Sequence, residues 1–546
     1  MMVIRYSKNV FTTIIMLVCL LLTSCSSFRN INNKDQDVKS NRYVGNNNTQ
    51  VDICIYGATP AGIMAAYTAK KKGKSVILIE PSNRIGGLTA GGLGWTDIGN
   101  KSIIRGYALQ FYNRIGRSYG ENEPKFTFEP KVALATFKGF LEEAGITDVL
   151  YQYRIINVQK RGNEITRISL EDSNLPLNKT RKTVSAKIFL DCSYEGDLMA
   201  KAGVSYTVGR EANSQYGETG NGVQMNQKHQ FPDGVDPYKI KGNPSSGLLY
   251  GILSEPIGKT GAGDKHVQSY NFRITLTNDE NNRIPITRPE NYDSTKYELL
   301  LRLKEVSPWK TYKDCLKWDM MPNHKCDINN QGGFSTDMIG DSWNYPEASY
   351  EDREKIYNNH LDYTKGLLYF MWTDNRIPAN IRSELQKWGY PRDEYEDNEH
   401  FTPQLYIRES RRMVGRMVMT QQYCENTKVA DDLIAWAAYT MDSHNCGRYV
   451  VNGMVKNEGD VQIYLKDSYN VSYRAITPQE TEARNLLVPV CLSASHIAYG
   501  SIRMEPVFMV LGQTSAIAAC QAIDRFDNCV QKVNSHQVIR EFEQMK

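Results

Sequence analysis

The chain reads as an α/β protein built on a nucleotide-binding parallel sheet, and three stretches carry that reading. Residues 51–80, VDICIYGATPAGIMAAYTAKKKGKSVILIE, run strand, glycine turn, helix, strand. Residues 188–212 and 485–523 each begin with an apolar strand, pass through a polar turn and lead into a helix. Residues 213 to about 400 interrupt that pattern with loop signals such as Gly217, Gly220, Gly222, Pro232, Pro237 and Pro244.

In the first stretch, Asp52–Tyr56 is a short apolar run suited to a strand buried on both faces, and Ala61–Lys70 is rich in helix formers. Gly73 stops the helix and Ser75–Ile79 supplies the second strand. Glu80 stands at the carboxyl end of that strand, where an acidic side chain accepts both hydroxyls of an adenosine ribose. The turn is Gly57-Ala58-Thr59-Pro60-Ala61-Gly62. It brings backbone N–H groups at a helix N-terminus close to a pyrophosphate, which larger side chains would block. Thr59 stands where the usual fingerprint has its second glycine, so the phosphate tolerates a β-branched residue or sits slightly farther out. The competing reading of this turn is an ordinary buried βαβ unit.

Arg84-Ile85-Gly86-Gly87 follows at once, and Leu88-Thr89-Ala90-Gly91-Gly92-Leu93-Gly94 extends it into a second flexible loop. On these residues the chain resembles the FAD-dependent oxidoreductases of the glutathione-reductase-type flavin fold, especially exported bacterial members. The resemblance covers about 51–212 and 401–525. It implies an α/β, Rossmann-like FAD/NAD(P)-binding domain with a parallel sheet, and FAD as cofactor. Gly57, Ala58, Pro60, Ala61 and Gly62 then lie against the pyrophosphate, with Glu80 on the ribose. Arg84, Gly86 and Gly87 approach the pyrophosphate from the far side, and the loop from Leu88 and Thr89 to Gly92 lies against the isoalloxazine ring. The strand that ends at Asp191 closes the domain, and the last strand, loop and helix return to the ring. A helix N-terminus or an arginine there stabilises the negative charge that reduction places on the flavin.

The expected organisation is a lipoprotein signal over 1–25, a disordered tether over 26–50 and the first part of the FAD domain over 51–212. An inserted α+β cap or substrate domain then spans 213–400, the second part of the FAD domain 401–525, and a C-terminal helix or tail 526–546. Arg5 and Lys8 precede the apolar run Val10–Leu22, and Leu22-Thr23-Ser24-Cys25 matches a lipobox in which Cys25 is lipidated. The run is too short to span a bilayer comfortably, so lipid on Cys25 would be the membrane attachment. The tether is rich in Asn, Ser and Lys, with Arg29 and no acidic cluster after Cys25, which favours a periplasm-facing protein.

A formal charge of +4 over 546 residues excludes a strongly basic nucleic-acid or anionic-surface binder. Of 11 cysteines none forms a CxxC pair, which argues against a dithiol site or zinc knuckle. In an oxidising compartment Cys315 and Cys326 are a candidate disulfide.

Five of the seven tryptophans, Trp309, Trp318, Trp343, Trp372 and Trp388, fall in the insertion, where such rings stack on sugars or form the cap's core. Arg408, Glu409, Arg411 and Arg412 either pair internally or hold an anion. An alcohol oxidation needs a base for the hydroxyl proton, and His444 and His496 are the candidates because both have small polar neighbours in segments that the flavin fold returns to the ring. Arg503 would hold a substrate oxygen or stabilise reduced flavin. Two functions emerge. One is a flavoenzyme that transfers hydride to or from a small organic substrate, a sugar or hydroxy acid, with an unnamed electron acceptor. The other is a carbohydrate-binding lipoprotein on a relic nucleotide fold.

Overall fold

A computed structural model describes residues 48–176, 181–314 and 316–545. The signal sequence, Cys25, nearly all of the tether, and Cys315 of the candidate disulfide lie outside the described residues.

A seven-stranded mixed sheet organises the rest. Strand β1 (Asn48–Tyr56) lies at its centre, parallel to β2 (Val76–Glu80) on one side and to β6 (Lys182–Asp191) on the other. Helix α1 (Pro60–Lys71) connects β1 to β2. Strand β1 starts three residues before the expected boundary, because Asn48, Thr49 and Gln50 pair with Thr183, Val184 and Ser185. β3 (Leu150–Tyr151) extends the sheet beyond β2, in parallel. β4 (Tyr153–Arg161) and β5 (Glu164–Asp172) form an antiparallel hairpin, and β5 runs antiparallel to the N-terminal part of β6. The C-terminal part of β6 receives β7 (Leu486–Leu487) in parallel, so the end of the chain closes the sheet started at its beginning.

One structural difference from the expectations concerns this last segment. The polar stretch after β7 is a short helix, α2 (His496–Ile502), rather than a loop. Ser495 caps it by accepting from the Ala498 amide, a Ser-x-x start that polar composition alone disguises. The final apolar helix, α3 (Glu505–Arg525), begins one residue before Pro506. It is long and apolar enough to cross a membrane, but nearly all of it is packed inside the protein. It crosses α1 so closely that a Cβ on Gly512 would lie 2.1 Å from the Ala61 carbonyl oxygen.

The 213–400 stretch contributes short strands and helices, including the antiparallel set of Ile274–Thr277, Lys325–Asn329 and Lys317–Met321. Its tryptophans are mostly packing groups. Trp318 lies 5.1 Å from Trp388 and 6.5 Å from Trp372, and Trp343 stacks on His266 at 3.5 Å while its Nε1 donates to the Cys446 carbonyl.

Candidate functional site

The glycine turn after β1 is shaped by close backbone approach. Gly57 has φ +96°, and a Cβ there would meet the Cys192 carbonyl carbon and the Ser193 nitrogen at 2.7 Å. A Cβ on Gly62 would fall 1.9 Å from the Gly57 carbonyl oxygen. Thr59, in place of the second glycine, caps α1: its hydroxyl donates to the Cys192 carbonyl at 2.8 Å and accepts weakly from the Gly62 amide at 3.4 Å. Pro60 follows at the first helical position and no acidic residue occupies the first turn, so the positive end of α1 is left for an anion.

The other predicted cofactor residues converge on this turn. Glu80 accepts from the Ala58 amide at 2.8 Å and, through its other oxygen, from the Ser82 amide and hydroxyl. The Gly86 amide donates to the Ala58 carbonyl at 2.8 Å. Gly86 and Gly87 both have positive φ, and a Cβ on Gly87 would press against the Tyr194 hydroxyl at 2.4 Å. Arg84 chelates Asp397 at 2.5 and 2.7 Å, while its buried Nε has no hydrogen-bond partner. The Leu88 amide donates to the Tyr194 hydroxyl, which in turn donates to Glu505; Thr89 also donates to Glu505, in the first turn of α3. Burial pushes the Glu505 carboxyl up to about 7. Asp191, also expected among the cofactor residues, spends its oxygens on the chain itself: they accept from the Ser193 amide and hydroxyl and from the Met199 amide, tying down the turn after β6, and burial raises its pKa to about 6.

Beyond the second glycine loop lies a polar cavity of about 420 Å³. The loop is joined to its wall, because the Gly94 and Trp95 amides donate to Asp327, which also holds Arg273 through Nε at 2.9 Å and Nη2 at 2.7 Å. Arg273, Tyr406, Asp442, His444 and Arg503 line the cavity, with Asp97 and His229. Of the predicted catalytic residues the structure thus brings His444 and Arg503 together. His444 Nδ1 lies 2.8 Å from Asp337, and its Nε2 lies 3.5 Å from Asp442. Burial and the Arg408 guanidinium push the His444 pKa down, but the two carboxylates outweigh them and the net shift is upward. Asp337 is itself held down to about 2, because Arg408 and His444 overcome its burial.

His496 is not among the residues that line this cavity. It is buried, with Nδ1 2.8 Å from Glu409 and Nε2 2.9 Å from the Ser443 hydroxyl. Its place is behind the short strand Met441–Ser443, which carries Asp442 and leads into His444. The nearby arginine cluster pairs internally: Arg408 with Asp337, Arg411 with Asp197 and Glu347, Arg412 with Glu211 and Glu409.

Sequence reasoning missed Arg273, His229, Asp97 and Asp337. The available signal for Arg273 was a charge inside the apolar run Asn271–Thr277, since a buried strand keeps an arginine only against a partner. His229 repeats the His444 arrangement, its Nδ1 2.6 Å from Asp460 and its ring 6.4 Å from that of His444 at an interplanar angle of 19°.

The turn, the bare helix end and the returning C-terminal helix define a flavin-binding α/β protein. A model of the family described as FAD dependent oxidoreductase matches residues 52–544, and the chain belongs to that family. Among curated proteins it is similar to thiamine thiazole synthases of Pyrococcus horikoshii and Pyrococcus abyssi, 24% and 25% identical over 219 residues that cover 38% of this chain and 84% of each relative. Among solved structures it is similar to Thermovibrio ammonificans THI4 (TM-score 0.24, 19% identity, 38% of this chain and 76% of that one). It is also similar to the rebeccamycin biosynthetic enzyme RebC with reduced flavin (TM-score 0.22, 15% identity, 30% and 36%). The protein is an FAD-dependent oxidoreductase, and the reading as a binding protein on a relic fold is not favoured. The residues fit the cofactor: the two glycines leave room for backbone approach, the first turn of α1 carries no competing carboxylate, and Arg84 keeps an unpartnered buried donor. Gly57, Ala58, Pro60, Ala61 and Gly62 would hold the pyrophosphate with Arg84, Gly86 and Gly87 on its far side, Glu80 would take the ribose, and Leu88 and Thr89 would lie towards the isoalloxazine ring.

Proposed function

We propose that this chain is an exported flavoenzyme that oxidises or reduces a small organic substrate, a sugar or hydroxy acid, in the polar cavity, and that His444 moves the substrate's proton. The observation that carries this reading is the position of His444 on the cavity wall between Asp337 and Asp442. The Asp337 carboxylate accepts from Nδ1 and fixes the ring, leaving Nε2 as the atom that exchanges a proton. FAD, when bound, supplies the two-electron acceptor or donor. Arg503, on the same wall, orients a substrate oxygen. The cavity volume falls within the range for small-molecule sites. Anaerobic mixing of the purified flavoprotein with panels of sugars and hydroxy acids tests this: one class should bleach the flavin absorbance, whereas bleaching by neither class, together with no reoxidation of reduced flavin by their keto forms, would exclude the proposal.

We further propose that lipid on Cys25 attaches the protein to a membrane facing the periplasm, on the strength of the lipobox Leu22-Thr23-Ser24-Cys25. Cys25→Ser should yield an unlipidated protein that leaves the membrane fraction after a high-salt wash. Continued membrane association of that variant would point to another anchoring surface.

A further inference from the structure

Two guanidinium groups on the cavity wall keep donors that the protein itself does not use. Arg273 is 1% exposed and spends Nε and Nη2 on Asp327, but Nη1 has no hydrogen-bond partner, its nearest carboxylate being Asp97 at 3.5 Å. Arg503 is 5% exposed; Nη1 donates to the Tyr406 hydroxyl at 2.7 Å and Nη2 reaches Gln268 and Asp442 at 3.2–3.3 Å, while Nε is unpartnered. Buried donors in a folded protein nearly always find an acceptor, so two unmatched guanidinium donors on the wall of one cavity call for an acceptor from outside the chain. The charge around them agrees. Lys228, Arg273, Lys317 and Arg503 line the cavity with Asp97 and Asp442, while Arg273 and Lys317 also pair with Asp327 and Asp319 behind the wall, so what favours an anion here is the pair of unspent guanidinium donors together with Lys228. An uncharged sugar finds less here. None of the insertion's tryptophans lines the cavity, and the Tyr406 ring is already taken by the Arg408 and Arg503 guanidiniums, 4.7 and 5.6 Å from its centroid.

We infer that the ligand of this cavity is a small organic acid whose carboxylate is held by Arg273 and Arg503, with its remaining oxygen turned towards His444. This rests on the reading of the cavity as the substrate site and narrows it to the acid class. A planar carboxylate offers two acceptor oxygens to the two guanidiniums, a match that a lone hydroxyl does not provide. Lys228 and Lys317 add long-range attraction for the same charge.

The test uses the purified, flavin-loaded protein titrated with oxalate, malonate and the neutral polyol xylitol, read by perturbation of the flavin absorbance and by the thermal midpoint. Oxalate or malonate should give a saturable change, weakened at least tenfold by Arg503→Gln and partly restored by Arg503→Lys. Lys317→Gln, at a side chain that is 45% exposed, keeps the fold and should weaken the same binding several-fold in low salt. Xylitol binding as tightly as the acids, acid binding indifferent to both Arg503→Gln and Lys317→Gln, or no saturable response to either acid would overturn the assignment. Bleaching by polyols without acid binding would defeat this inference and leave the hydride-transfer reading standing. Acid binding with no redox response to any panel member would do the reverse.

Discussion

Replacing His444 with Asn should slow flavin reduction by the substrate about 10²–10⁴-fold, the usual contribution of a positioned general base, while FAD stays bound. The expectation follows from geometry first. His444 lies on the cavity wall, with its ring fixed by Asp337 on one side and Asp442 on the other, whereas the other candidate, His496, is enclosed between Glu409 and Ser443. The pH dependence gives a second readout. Asp337 and Asp442 outweigh burial and Arg408 and raise the His444 pKa above its ordinary 6.5. A base works in its unprotonated form, so in the oxidative direction the bleaching rate should climb as pH rises through that elevated value. The Asn variant should lack this ascending limb. His496→Asn should act differently, by loosening the Met441–Ser443 strand behind the cavity, with a lowered thermal midpoint and an unmoved pH profile. If His444→Asn bleaches at the parental rate with the parental profile, the base is another residue, and His229, paired with Asp460 on the same cavity, is the next to test.

The parts of this architecture that were legible in the sequence are those written in local patterns. Gly57, Gly62 and Glu80 lie within the 30-residue stretch 51–80, whose strand-turn-helix-strand periodicity is fixed by near neighbours. The return of Leu486–Leu487 and α3 to the same sheet was readable through the family resemblance, to which a short buried strand and a mostly apolar, buried helix gave the matching pattern. The cavity was only half legible. His444 and Arg503 stood out in polar strings near the C-terminus, but their working partners come from far away: Asp337 from 107 residues upstream of His444, Gln268 from 235 upstream of Arg503. Such pairings are set by how the insertion folds back, and no local periodicity records them. His444 and His496 looked equivalent for the same reason, since both follow serine in small-residue strings. The fold separates them by turning the His496 segment into a capped, buried helix. Thr59 is the converse case. As a letter it broke the glycine fingerprint, yet in the structure its hydroxyl does a capping task that a glycine would leave to solvent, and α1 keeps an unobstructed N-terminus.

Gly62→Val should yield a protein that is purified with little or no flavin and a clearly lowered thermal midpoint. The first atom of the new side chain would sit 1.9 Å from the Gly57 carbonyl oxygen and 3.4 Å from Cys192 Cβ. Neither neighbour has room to retreat. Gly57 is held by its amide's bond to the Ile79 carbonyl at 2.8 Å, and the facing strand is held by the Cys192 amide's bond to the Tyr56 carbonyl at 2.7 Å. A Cβ-sized retreat by Gly57 is also blocked from the other side, where Cys192 and Ser193 backbone atoms lie 2.7 Å from the space beside its own Cα. Helix α1 would therefore have to move away from β1, and α3, which crosses it at Gly512 against the Ala61 carbonyl, would have to move with it. Overpacking of this kind costs about 1–3 kcal/mol where side chains can adjust and more where backbone faces backbone, a large share of the roughly 5–15 kcal/mol that holds a domain together. Thr59→Ala is the calibrating comparison: it removes a cap worth about 1 kcal/mol without adding an atom to the turn, so the flavin-to-protein absorbance ratio should fall far less. A Gly62→Val protein with parental flavin content and midpoint would mean that α1 does not approach β1 as closely as these distances describe, and the cofactor cradle would need to be sought elsewhere on the sheet.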